Sequence, residues 1–107
     1  MRYFTEIHLP NYHTHVFKFG KYKGQPLADV IRDDLSYIVW CYNTIPMFKL
    51  EGPYLKQILD SAAKNLREHK SLNTDADRKN YFSIVKFLEK FFHPNDVKKI
   101  LKIVNKD

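Results

Sequence analysis

From Asp33 to Val104 apolar side chains return every three or four residues, a spacing that commits most of the chain to amphipathic helix. In the first such stretch Leu35, Ile38, Val39 and Tyr42, with Tyr37, Trp40 and Cys41 beside them, form a wide apolar surface that Asp33 or Asp34 can cap and Pro46 ends. Gly52-Pro53 opens a second helix, whose buried stripe is Leu55, Ile58, Leu59, Ala62, Ala63 and Leu66. Lys56, Asp60, Lys64 and Arg67 take its other side. After a polar break, Thr74 or Asp75 caps a third helix with Tyr81, Ile84, Val85, Leu88 and Phe92 on one face. Asp75 and Asp77 are read as partners of that helix's dipole, not as a catalytic pair. His93-Pro94-Asn95 separates a fourth helix that buries Val97, Ile100, Leu101 and Val104.

The first third has a different period. Arg2–Leu9 alternates as a strand, Pro10 and Asn11 interrupt it, and His13–Phe19 resumes it, with Phe17 and Phe19 inward and Val16 and Lys18 outward. The stretch Gly20-Lys21-Tyr22-Lys23-Gly24 then reads as a turn, and the apolar run "PLADVI" as a short extended return. The expected fold class is therefore α+β: a small N-terminal antiparallel β unit of two to three strands followed by about four α-helices, in a single domain covering residues 1–107.

A chain of 107 residues, 44% hydrophobic and 15% aromatic, can build its own core, burying about 65% of its unfolded surface. Its one cysteine cannot form an internal disulfide, and no apolar run is long enough for a signal peptide or a bilayer span. A reducing, cytoplasmic setting away from membranes is expected. The net charge of +6 favours anionic partners. Residues 11–28 hold Lys18, Lys21 and Lys23 with no acid, and residues 86–106 hold six lysines against Glu89 and Asp96.

Catalytic patterns are missing. There is no nucleophile elbow, Walker phosphate loop, dinucleotide fingerprint or His-Glu-x-x-His, and no Asp-x-Glu pair of the kind that holds two metal ions. His8, His13 and His15 with Glu6 have spacing too generic for a metal site, and Cys41 beside Trp40 reads as a small core residue. The expectation is a non-enzyme without metal or cofactor. The glycine-lysine segment stands apart, since Gly20 and Gly24 tolerate positive φ and can turn backbone N–H groups outward as an anion nest. Lys18, Lys21 and Lys23 would add charge there, and Tyr22 could stack on a base. A tight turn whose lysines only solubilise it fits the same spacing.

Phe19, Gly20, Lys21, Tyr22, Lys23, Gly24, Leu27, Val30, Asp34, Tyr37 and Trp40 resemble the motif of the C-terminal domain attached to exodeoxyribonuclease-X-like exonucleases. The quorum-sensing-regulated virulence factor family has a similar pattern. The resemblance spans about residues 16–42 and implies an accessory to nucleic-acid enzymes; the nuclease portion of that family is not among these residues. It points to nucleic acid as partner, with DNA ahead of RNA, and to a separate nuclease or other protein. On the physical reading Tyr37 and Trp40 pack into the core against Phe19, Leu27 and Val30. Lys18, Gly20, Lys21, Tyr22, Lys23 and Gly24 are left as the candidate nucleic-acid-binding residues. The competing reading is a protein-interaction or self-associating module that docks through Phe82, Phe87 and Phe91, off the main stripe of the third helix.

Overall fold

The computed structural model describes residues 16–17, 19–45, 48, 50 and 52–106. They form five helices: α1 (Leu27–Asp33), α2 (Leu35–Thr44), α3 (Gly52–Leu72), α4 (Asp75–Phe91) and α5 (Pro94–Val104). No strand occurs among the described residues, so the expected α+β class is replaced by a helical fold. The strand expected over Arg2–Leu9 and the start of the one at His13 lie outside the described residues, as do His8, His13, His15 and Lys18. Extended pairing is limited to two isolated bridges, Val16 with Pro26 and Phe17 with Lys23.

The segment "PLADVI", expected to be extended, is instead the beginning of α1. Leu27, Val30 and Ile31 stand at i, i+3 and i+4, and all three are buried. Six apolar-rich residues are too few for periodicity to separate a buried strand from one helical turn and a half. The flanks favour helix: Pro26 leads in at φ −60°, Asp29 lies in the first turn and Arg32 in the last.

α3 is the spine, touching each of the other four helices. At about 1.5 Å per residue its 21 residues extend roughly 31 Å. Tyr54, Ile58, Ala62 and Leu66 are its fully buried stripe. They meet Leu27, Val30 and Ile31 of α1, Leu35, Ile38 and Val39 of α2, Ile84, Phe87 and Leu88 of α4, and Val97, Ile100 and Val104 of α5 in one core cluster.

One polar residue of α3 is buried with them. Asn65, 2% exposed, reaches the elbow where α1 stops and α2 starts. Asp34, at φ −145° and ψ 66°, breaks the helix there. The break leaves the Arg32 carbonyl and the Leu35 N–H without helical partners. Leu35 N–H donates to Asn65 Oδ1 at 3.1 Å, and Asn65 Nδ2 donates to the Arg32 carbonyl at 3.0 Å and to the Ser61 carbonyl at 2.9 Å. Gln57, two turns earlier, donates from Nε2 to the Ala28 carbonyl at 2.6 Å. α1 is thus joined to α3 by hydrogen bonds at two points as well as by packing.

α4 starts with a capping box. Thr74 Oγ1 accepts from the Asp77 N–H at 3.1 Å, and Asp77 Oδ2 accepts from the Thr74 N–H at 3.3 Å. Asp77 Oδ1 also meets His69 Nδ1 of α3 at 2.7 Å, which ties the cap to the preceding helix. The acidic pair in this turn therefore has a structural use. α5 begins at Pro94, with His93 Nδ1 accepting from the Asn95 N–H.

Two outcomes test these joints. Asn65→Ala leaves a buried donor and a buried acceptor unpaired, each worth about 1–3 kcal/mol, so urea unfolding should show a loss of roughly 2–6 kcal/mol at an unchanged m-value. A loss below about 0.5 kcal/mol would mean that the elbow does not depend on this side chain. For Asp77, hydrogen bonds first from Thr74 and then from His69 hold the carboxyl below its ordinary value. Its stabilising effect is present above the unfolded carboxyl pKa of about 3.9 and is lost as pH falls through the lower folded value. Asp77→Asn should therefore cost stability at neutral pH, with the gap to the parent protein closing in acid.

Candidate nucleic-acid interface

Residues 17 and 19–25 close a loop in front of α1. Phe17 N–H donates to the Gln25 carbonyl at 2.9 Å, and Gly24 N–H donates to the Phe17 carbonyl at 2.8 Å. Inside it, Lys23 N–H donates to the Gly20 carbonyl and Gln25 N–H to the Tyr22 carbonyl, making two overlapping turns. Both glycines are in the left-handed region, Gly20 at φ +76° and Gly24 at φ +88°. They differ in surroundings. A Cβ on Gly20 would overlap Tyr37 Oη, whereas one on Gly24 would meet open space.

This hydrogen-bonding pattern limits the anion-nest idea. The N–H groups of Lys23, Gly24 and Gln25 are used inside the loop. These three are closed to an anion, which leaves less of the loop's backbone to form a nest.

Tyr22 also has a structural post that the sequence did not suggest. Its hydroxyl donates to Asp34 Oδ2 at 2.5 Å, and its ring lies edge-on to Tyr37 with centroids 5.0 Å apart. Burial, reinforced by the Asp34 carboxylate, pushes the phenol up to about 12. Asp34 in turn accepts from Ser36 Oγ at 2.9 Å and lies 3.5 Å from Lys21 Nζ. Burial alone would raise the Asp34 carboxyl, but hydrogen bonds from Tyr22 and Ser36 and the charge of Lys21 bring it below its ordinary value. The residue that breaks α1 from α2 is thus also the anchor for the loop.

Around this anchor Phe17, Phe19, Tyr22, Tyr37 and Trp40 form a continuous aromatic group. Phe17 meets Phe19 and Tyr37 edge-on, each at 5.7 Å. Phe17 is buried as expected, and Phe19 and Tyr37 pack partly buried against the core. Trp40 departs from expectation. It stacks on Tyr37 at 5.9 Å and 26°, yet 52% of its surface is exposed, so it lies outside the core to which its spacing assigned it.

The cations are arranged around these rings. Lys21, with 63% of its side chain exposed, places Nζ 5.1 Å from the Tyr22 centroid and 5.6 Å from that of Tyr37. Lys23 is exposed and has no ion pair among the described residues. Of the candidates read from the sequence, Gly20, Lys21, Tyr22, Lys23 and Gly24 share this loop, with the glycines and Tyr22 shaping it and the two lysines projecting from it. Lys18 lies outside the described residues.

The aromatic residues of α4 divide. Phe82 is 61% exposed, but Phe87 is buried and, with Phe91, packs on Tyr42 of α2 at 5.5 and 5.0 Å. The patch expected from Phe82, Phe87 and Phe91 is therefore reduced to Phe82. Cys41 is buried as expected, and burial pushes its thiol up to about 11. No helix among the described residues is long and apolar enough to cross a membrane.

A loop pinned to the N-cap of a helix by a tyrosine–aspartate bond, with lysines outside and rings inside, is also the part of the chain that a family model matches. Residues 17–45 match the family model described as exodeoxyribonuclease X-like C-terminal, covering the loop, α1 and α2. Over this segment the chain is similar to the exodeoxyribonuclease X-like C-terminal family. The model does not extend over α3, α4 and α5, and the likeness to the virulence factor family stays one of motif. Neither curated proteins nor solved structures give a match to the chain.

The two glycines should behave differently on substitution. Gly24→Ala faces only the cost of left-handed backbone, about 1–2 kcal/mol, whereas Gly20→Ala adds the overlap with Tyr37 and should lose distinctly more in thermal or urea unfolding. Equal losses would show that the Tyr37 hydroxyl yields freely.

Proposed function

We propose that the protein is a non-catalytic, nucleic-acid-binding accessory module that holds the phosphate backbone with the side chains of Lys21 and Lys23, joined by Lys18. The supporting observation is that the segment matching the exodeoxyribonuclease X-like C-terminal model presents exposed lysines on a rigid, aromatic-backed loop. In this reading the glycines and Tyr22 set the loop's shape, and the lysines supply charge. Tyr22 holds Asp34, so Lys21 projects from a fixed base and little ordering is needed on binding. Asp34 offsets part of the Lys21 charge when the site is empty, and Lys23 has no such counter-charge among the described residues. The family description also favours work beside a nuclease, with the module supplying a grip on the strand and the nuclease supplying chemistry. DNA is the preferred strand.

Such contacts read the backbone and not the sequence, so affinity should be strongly salt-dependent and nearly indifferent to base order. Fluorescence anisotropy with labelled oligonucleotides at ~50 mM salt should detect binding, and each of Lys21→Ala and Lys23→Ala should lower the salt slope by about one. No binding, or an unchanged slope in the double variant, would remove the proposal. Both side chains are exposed, so the variants should fold normally, which circular dichroism checks.

A further inference from the structure

We infer that the exposed face of Trp40 is a base-stacking platform, and that the ligand of this surface is single-stranded nucleic acid, its bases against Trp40 and its phosphates against Lys21 and Lys23. The inference rests on the nucleic-acid reading above and adds to it a strand type and a residue.

Trp40 lies one turn after Tyr37 on α2, and the two rings are nearly parallel, 5.9 Å apart. Tyr37 cannot readily turn away, because Phe17 and Tyr22 meet it edge-on at 5.7 and 5.0 Å. The indole is therefore backed by a fixed ring while half of its own surface meets solvent. A large ring held flat and open forgoes the burial that usually stabilises tryptophan. That arrangement suits a planar ligand.

The charge beside it favours a nucleobase over an apolar protein surface. Lys21 Nζ is 5.6 Å from the Tyr37 centroid, so a cation and the indole flank the same tyrosine. Lys23 projects from the same loop without an acidic partner among the described residues. The nearby acids are engaged: Asp34 by Tyr22, Ser36 and Lys21, and Asp33 by Arg32 and Lys64. A duplex is a poor fit, because its base faces are covered by neighbouring pairs. A single strand offers both its free faces and its phosphates, the two things that rings and lysines bind.

Trp40 is the chain's one tryptophan, so its emission reports directly on this face. The protein is titrated at ~50 mM salt with a thymidine oligonucleotide of about 12 nucleotides, an abasic strand of equal length, and a duplex of equal length. Stacking predicts quenching by the thymidine strand alone and at least about ten-fold tighter binding of it than of the abasic strand, an advantage that Trp40→Ala abolishes and Trp40→Phe partly keeps. If all three bind equally and emission is unchanged, the nucleic-acid reading stands and the platform is refuted. If none binds, both fall. A concentration-dependent, salt-resistant shift in emission without oligonucleotide would instead make this face an interface between copies of the chain and overturn the inference.

Discussion

The amide of Asn65 holds together the part of the molecule on which the rest depends. An elbow between two short helices leaves backbone groups unpaired at both helix ends, and those groups are tolerable in a core only when something satisfies them. Here a single side chain from α3 takes one donor and one acceptor across the elbow. α1 is only seven residues long and could not persist by itself, since isolated helices of that length are unstable in water. Its stability comes from packing on α3 and from Asn65 and Gln57, which fix its direction. The direction of α1 and α2 in turn decides where Asp34, Tyr37 and Trp40 are presented.

A second dependence runs outward from the elbow. Asp34 could have been an ordinary helix cap, but its side chain makes no capping bond to α2. It accepts from Tyr22 and Ser36 and attracts Lys21 instead, so the loop is attached where the helix direction changes. Loop shape and helix geometry are therefore one problem. The lysines project from a base whose hydrogen bonds are already formed, with the aromatic group packed beside the half-buried Tyr22–Asp34 contact.

The long helices were legible in the sequence because α3, α4 and α5 each repeat an apolar spacing over several turns, and Thr74 and Pro94 mark two of the starts. α1 was not legible. Its apolar run is short enough to fit a strand, and beside the weak helix signals of Pro26, Asp29 and Arg32 it depends on α3, a partner remote in sequence. Asn65 gave no signal either, since an asparagine between Ala62 and Leu66 looks like any polar position near the edge of a stripe. In the candidate site the glycines and lysines could be located from their spacing, whereas the roles of the rings could not. Tyr22 appeared available and is engaged by Asp34 twelve residues away, and Trp40 appeared committed to the core and is half exposed. Spacing along a helix says which side chains can touch, but the direction each ring finally takes depends on how the loop closes over them.

The loop, its aspartate anchor, both short helices and all five rings of the aromatic group fall between Phe17 and Thr44, almost the same span as the family match. Within that span the loop, its anchor and the aromatic group contact one another. From outside it, α3 supplies an apolar face, one asparagine at the elbow and one glutamine along α1, and α4 supplies Phe87 and Phe91 against Tyr42. Whatever supports this segment must therefore offer an apolar stripe flanked by two amide side chains two turns apart, and rings that receive Tyr42.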